Sequence, residues 1–156
     1  MILTTIATFL LTAFTAVANP ATEPAISYTD EDIYNLTVLT VAEADGETEL
    51  GQRLVIDSVL NRVLRDDFPN TITECVFQPN QYSGTGDRWE RSCYKENIAK
   101  LVKEEIEQRT NKDVLYFKTK SYHSKYGTPM FKEGNHYFSG DLPELSLNET
   151  IQALEK

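Results

Sequence analysis

Glu43 stands in the stretch Ala42-Glu43-Ala44-Asp45-Gly46-Glu47, where one predicted helix ends and another is about to begin. A glutamic acid can protonate a glycosidic oxygen when burial or a neighbouring negative charge keeps it in its acid form. Glu47 would share the face of Glu43 if helical geometry continued through Gly46. Neighbours on one turn point the same way, whereas the two carboxylates of a retaining or inverting glycosidase flank the sugar from different sides. The pattern therefore suits one acid working alone. Glu47 is expected to tune Glu43 or to bind substrate, against the plainer reading of a solvated acid.

Two later segments carry groups of the kind a sugar cleft needs: Gln78-Pro79-Asn80-Gln81-Tyr82-Ser83 and Gly134-Asn135-His136-Tyr137-Phe138. Gln81 offers an amide for hydrogen bonding and Tyr82 a ring for stacking. The competing reading is a turn with a packed tyrosine. His136 is a candidate sugar contact, against a histidine satisfied inside a small sheet. Trp89, the single tryptophan, is either a sugar platform or a loop anchor. With two cysteines and two histidines at no recognised ligand spacing, no metal or other cofactor is expected. A metal-dependent amidase built on Glu43, Glu47 and His136 is the weakest rival.

The elements that must position these groups follow from caps and apolar periodicity. Thr29, then Asp30-Glu31-Asp32, predicts a helix start, with acids where the helix dipole favours them. Ile33, Leu36, Leu39 and Val41 continue the helix, and Gly46 can end it. A second helix is predicted over 48–64, with a broad apolar face from Leu50 to Leu64. A short one follows over 71–76, capped by Thr71 or Asn70, and another over 95–109. Beyond Asp113, Val114-Leu115-Tyr116-Phe117 and Asn135 to Phe138 predict two strands paired antiparallel, with a loop over 121–127. Tyr116 and Phe117 are expected in the core, and Asn61 and Arg62 in structural hydrogen bonding. The fold class is α+β, mainly helical, with a small antiparallel sheet.

A chain of 156 residues suits a single domain. Its net charge of −9 argues against nucleic acid, since phosphates must be neutralised by Lys and Arg. It argues equally against anionic lipid. Residues 1–18 carry no charged side chain, and Ala16-Val17-Ala18 gives a small-x-small cleavage pattern. They read as a signal peptide, with an uncleaved membrane anchor as the alternative. The expected organisation is 1–18 leader, 19–28 tether, 29–140 catalytic domain and 141–156 C-terminal tail or helix. Contact with a membrane is expected only if the leader stays attached. Export would allow Cys75 and Cys93 to pair, contributing about 3 kcal/mol; two buried free thiols are the alternative.

The series Val41-Ala42-Glu43-Ala44-Asp45-Gly46-Glu47, Gly51-Gln52-Arg53 to Asn61-Arg62-Val63, Phe68-Pro69-Asn70-Thr71-Ile72, Gln78 to Ser83, Leu115-Tyr116-Phe117 and His136-Tyr137-Phe138 resembles the cell wall hydrolase family that includes the spore cortex-lytic enzymes. Tyr82 stands where phenylalanine is more usual. The resemblance implies a lysozyme-like domain related to lytic transglycosylases. The implied partner is peptidoglycan, cut between N-acetylmuramic acid and N-acetylglucosamine; from the leader, the folded part is expected outside the cytoplasm, and the chain is expected to be a monomer. The family's catalytic acid is the first glutamate of Glu-Ala-x-Gly-Glu, which corresponds to Glu43. In a lytic transglycosylase that residue protonates the bridging oxygen, then acts as base while the muramic 6-hydroxyl closes onto C1. A hydrolytic muramidase and a wall-binding module without turnover are the rivals.

Overall fold

The computed structural model of the chain describes residues 25–141, apart from 87, 88 and 90. The expected leader, most of the expected tether and the C-terminal segment from 142 lie outside the described residues. Among the described residues the helices that can be bounded are α1 (Asp30–Ala44), α2 (Glu49–Val63), α3 (Ile72–Val76) and α4 (Glu96–Glu107). A 3-10 turn, Ser83–Thr85, precedes α4, and three strands follow it: β1 (Val114–Thr119), β2 (Thr128–Glu133) and β3 (His136–Gly140). The α+β class, mainly helical with a small antiparallel sheet, is as the sequence predicts.

Threonine begins three of the helices. Thr29 accepts the Asp32 N–H at 3.2 Å, while the Asp32 carboxylate accepts the Thr29 N–H at 2.9 Å, closing a reciprocal cap. The other Asp32 oxygen accepts the Thr73 N–H at 2.8 Å and hydroxyl at 2.6 Å, so the same residue docks α3 on α1. Burial pushes the Asp32 carboxyl up, but the hydrogen bonds from Thr73 and Thr29 outweigh it and hold the group below the usual carboxylate range. Thr48 and Thr71 cap α2 and α3 through the N–H groups of Gly51 and Glu74. Ile26, within the segment expected to be a tether, is buried against the helical core, so packing begins before α1.

That core joins Leu36 and Leu39 of α1, Ile56, Val59 and Leu60 of α2, Ile72 of α3, and Ile98 and Val102 of α4. Ala44, Leu54, Val55, Val114 and Phe138 form a second cluster under the sheet. The strand order is β1-β3-β2, with both outer strands antiparallel to β3. One transverse row, Phe117, Phe138 and Phe131, crosses all three strands. The sequence predicts only β1 and β3. Its silence on β2 has a cause: Thr-Pro-Met-Phe-Lys-Glu lacks alternation, and Pro129 is tolerated only because the strand lies at an edge.

The expected Cys75–Cys93 bridge is not formed, and both thiols are free. Cys75 faces inward from α3, where its Sγ donates to the Pro69 carbonyl at 3.1 Å, and burial pushes the thiol up to about 11. Cys93 lies exposed at the surface. The inward facing of α3 therefore opposes the pairing that chain spacing suggests.

Buried polar groups on α2 bind the helices to the sheet. Asn61 donates to the Asn111 and Val114 carbonyls, both at 2.9 Å, and the Arg62 Nε donates to the Leu115 carbonyl at 2.8 Å. Arg53 joins α2 to α4 through Glu104 and Glu105, each at 2.6 Å. Asp57 accepts the Asn111 N–H at 2.7 Å. Burial first, and the adjacent Glu105 carboxylate second, raise the Asp57 carboxyl above the normal range. Above about pH 4 the folded protein thus holds a proton that the unfolded chain has released, so this site costs stability as pH rises. Asp57→Asn keeps the acceptor for Asn111 and removes the titration. It is expected to raise the unfolding free energy at pH 8 by on the order of 1–3 kcal/mol and to flatten its pH slope in urea titrations.

Candidate active site

Glu43 occupies the last turn of α1, which ends at Ala44 with Asp45 as its C-cap. A cleft of about 550 Å³ opens over it. One wall is the loop from Asn80 to Ser83, and the other comes from Phe117, Lys118 and Thr119 of β1 with His123 and His136. Glu43 is the one carboxylate among the described residues lining this space. Among the described residues, no group of three or more His, Cys, Asp and Glu is placed to hold a metal ion.

The loop wall grips the acid directly. Ser83 Oγ donates to Glu43 Oε1 at 3.1 Å, and the Gly84 backbone N–H donates to the same oxygen. Close approach is what residue 84 must permit. A Cβ there would stand 2.8 Å from Oε1 and 2.9 Å from the Ala42 Cβ, closer than carbon atoms pack. Asn80 turns the loop with φ of 63°, a left-handed conformation that asparagine tolerates better than most residues. Ser83 and Gly84 are the residues that sequence reasoning missed as partners of Glu43. The signal lay in the Gln-Pro-Asn-Gln-Tyr-Ser segment and the glycine directly after it.

Glu47 is not on the same helical face as Glu43, because α1 stops before Gly46. Its carboxylate turns to the β2–β3 turn and accepts the Asn135 N–H at 3.0 Å and the Asn135 Nδ2 at 2.9 Å. Gly134 has φ of 54° and faces that carboxylate so closely that a side chain there would displace it. Thr48 Oγ1 donates to Glu133 at 2.7 Å beside it. The turn between β2 and β3 is thereby pinned to the junction of α1 and α2. Burial alone would raise the Glu47 carboxyl, but the Asn135 hydrogen bonds and His136 hold it below the usual range.

His136 follows that turn and is buried against Phe117 and Phe138, with ring centroids 5.0 and 6.0 Å away. Its Nδ1 has no hydrogen-bond partner among the described residues. Burial lowers its pKa below the normal value, with Glu47 and Glu43 opposing the shift. The ring is therefore neutral at neutral pH, with one nitrogen a donor and the other an acceptor. Gln81 is exposed on the loop wall. Tyr82 reaches the cleft but is only 7% exposed. The Arg62 guanidinium sits 5.0 Å from its ring centroid and the Phe117 ring 5.9 Å. Trp89 packs on Phe77 at 4.9 Å, away from the cleft lining.

Two outcomes follow from these contacts. Gly84→Ala must push the loop wall off α1; it is expected to cost about 1–3 kcal/mol in denaturant titrations and to break the Ser83–Glu43 hydrogen bond in a crystal structure. Glu47→Gln removes an anion that supports the histidinium, so the pKa of His136 is expected to fall further in an NMR titration.

Known proteins resemble this chain in sequence and in fold. Residues 46–139 match the cell wall hydrolase family, beginning just past Glu43. The spore cortex-lytic enzyme of Bacillus cereus is 30% identical over 125 residues, which cover 77% of this chain and 48% of the relative. That of Halalkalibacterium halodurans is 31% identical over 67 residues, 43% of this chain and 20% of the relative. The chain spans about half the length of the Bacillus cereus relative it matches. Among solved structures, the catalytic domain of the Bacillus cereus SleB protein superposes with a TM-score of 0.65 at 27% identity, covering 78% of this chain and 98% of that one. The catalytic domain of the germination-specific lytic transglycosylase SleB from Bacillus anthracis gives 0.63 at 29% identity, covering 72% and 96%. Sequence match over most of the folded region, and agreement with nearly the whole of two catalytic domains, lead to one conclusion: this chain belongs to the cell wall hydrolase family.

Proposed function

We propose that this protein is a peptidoglycan lytic transglycosylase, acting outside the cytoplasm on the bond between N-acetylmuramic acid and N-acetylglucosamine, with Glu43 as its single acid and base. The observation that carries this reading is the one carboxylate among the described residues lining the cleft, held by Ser83 and Gly84. The transferable proton is that of the Glu43 carboxyl, whose Oε1 faces the Ser83 and Gly84 donors. That proton passes to the bridging oxygen as the bond from C1 breaks. The resulting carboxylate then faces the positive charge developing at the anomeric carbon. It next accepts the proton of the muramic 6-hydroxyl as that oxygen bonds to C1. No second carboxylate and no water molecule is required, in keeping with one acid among the described residues that line the cleft. The relatives' names, spore cortex-lytic enzyme and lytic transglycosylase, support the same chemistry.

In this reading Gln81 and neutral His136, on facing walls, supply hydrogen bonds to sugar hydroxyls. Tyr82 shapes the loop wall from behind rather than stacking on sugar, since Arg62 and Phe117 already pack against its ring. Glu47 acts through the β2–β3 turn, setting where His136 stands.

Glu43→Gln is expected to fold normally and to lose on the order of a hundredfold or more of wall-cleaving rate. Wild-type rate in that variant would refute the assignment. Mass spectrometry of the muropeptides released from purified sacculi decides between mechanisms. The transglycosylase yields an anhydro product lighter by one water than the product of a hydrolytic muramidase. Sedimentation with sacculi and no release at all would mark a binding module.

A further inference from the structure

The charge of this chain is unevenly placed. Between Val114 and Gly140 stand four lysines, Lys118, Lys120, Lys125 and Lys132, and one acid, Glu133, in a chain of net charge −9. Four cations of the helical body are paired at home: Arg53 with Glu104 and Glu105, Arg65 with Asp67 and Asp141, Lys95 with Asp45, Lys100 with Glu104. The four lysines of the sheet region are all exposed, and among the described residues none of them is in an ion pair. Glu133 is directed elsewhere, taking the Thr48 hydroxyl at 2.7 Å.

Strand register organises part of this charge. Lys118 of β1 and Lys132 of β2 both lie opposite Tyr137 of β3, so a Lys-Tyr-Lys row crosses the sheet. Alternation along each strand puts that row on the face opposite the Phe117, Phe138 and Phe131 row, which packs towards the helices. The Lys132 Nζ stands 5.4 Å from the Tyr137 ring centroid, and Tyr122 of the β1–β2 loop packs edge-on against the same ring at 5.1 Å. Lys118 also lines the Glu43 cleft. A cationic and aromatic face therefore starts at the cleft and runs outward across the sheet. The flanking acids Asp113 and Asp141 lie at the far end of the strands, where Val114 pairs with Gly140.

We propose that this outer face of the sheet binds the carboxylates of peptides carried by the glycan, making the substrate a peptide-bearing strand rather than one stripped of its peptides. The inference rests on the reading of the cleft as a glycan-cleaving site. Charge complementarity selects the occupant. The anionic helical body repels a strand bearing carboxylates, whereas the sheet face attracts it, so the field turns the cleft towards the wall. Exposed lysine–carboxylate pairs are individually weak and screened by salt, so the face works through several contacts at once. Tyr137 and Tyr122 add ring surface beside them.

The test uses the full chain carrying Glu43→Gln, so that binding is read without turnover, with and without Lys125→Glu and Lys132→Glu. Neither lysine lines the cleft. Cosedimentation is measured with sacculi freed of phosphate-bearing polymers, and with the same sacculi after an amidase has removed the peptides. The charge-reversed protein is expected to bind peptide-bearing sacculi roughly three- to tenfold more weakly at low salt. The difference should shrink near about 0.5 M salt, and the two proteins should bind stripped glycan alike. Unchanged binding to peptide-bearing sacculi, or an equal loss on both substrates, overturns the proposal. So does a charge effect seen only with isolated phosphate polymers or anionic lipid vesicles. Failure of the wild-type protein to release any muropeptide would instead defeat the catalytic reading, independently of how the lysine variants bind.

Discussion

The guanidinium of Arg62 sits at the joint on which the cleft depends. Its Nε donates to the Leu115 carbonyl, and its plane lies about 5 Å from three ring centroids, those of Phe68, Tyr82 and Tyr116. Tyr82 belongs to the loop wall, and Tyr116 and Leu115 to the strand whose next residue forms the opposite wall. One cation rising from α2 thus holds both walls to a common post. Burying a charge is costly unless it is paired or cradled. Here a carbonyl and aromatic faces replace water, and each desolvated cation–π contact can contribute about 2 kcal/mol. A shorter or neutral side chain would leave the two walls without a shared reference.

The acid itself is positioned by a different device. Glu43 is carried by the end of a helix, and its carboxyl is set by donors from a loop about forty residues later in the chain. The opposite wall is set by Glu47, which lies close in sequence but serves the far side of the cleft through Asn135. The two glutamates of the motif therefore divide the work. One faces the space where chemistry would occur, and the other fixes the hairpin turn that delivers His136. Placing them on one helical turn would have aimed both at the same wall.

Much of the helical framework is readable from local chemistry. Thr29 with Asp32, Thr48 with Gly51 and Thr71 with Glu74 are caps whose partners lie three residues away, so the chain states them without help from tertiary contacts. The β2 strand is different. Its residues acquire a strand conformation because β3 offers an open edge, and nothing in Thr-Pro-Met-Phe-Lys-Glu demands it. The thiols likewise obey packing rather than spacing, since Cys75 is drawn into the core by the apolar face of α3. Tyr82 reads as a stacking platform from its neighbours in sequence, yet its ring is claimed by Arg62 from another element.

By itself the sequence determined the helices, their ends, the α+β class, the family and the position of Glu43, because caps, apolar periods and short motifs are local properties. Only the tertiary structure decided that Ser83 and Gly84 hold that acid, that Glu47 turns away from it to Asn135, and that Lys118 and Lys132 share one row with Tyr137. Those pairings join residues from about forty to almost ninety positions apart or depend on strand register. Their geometry is fixed by how the core packs, and no local preference encodes it.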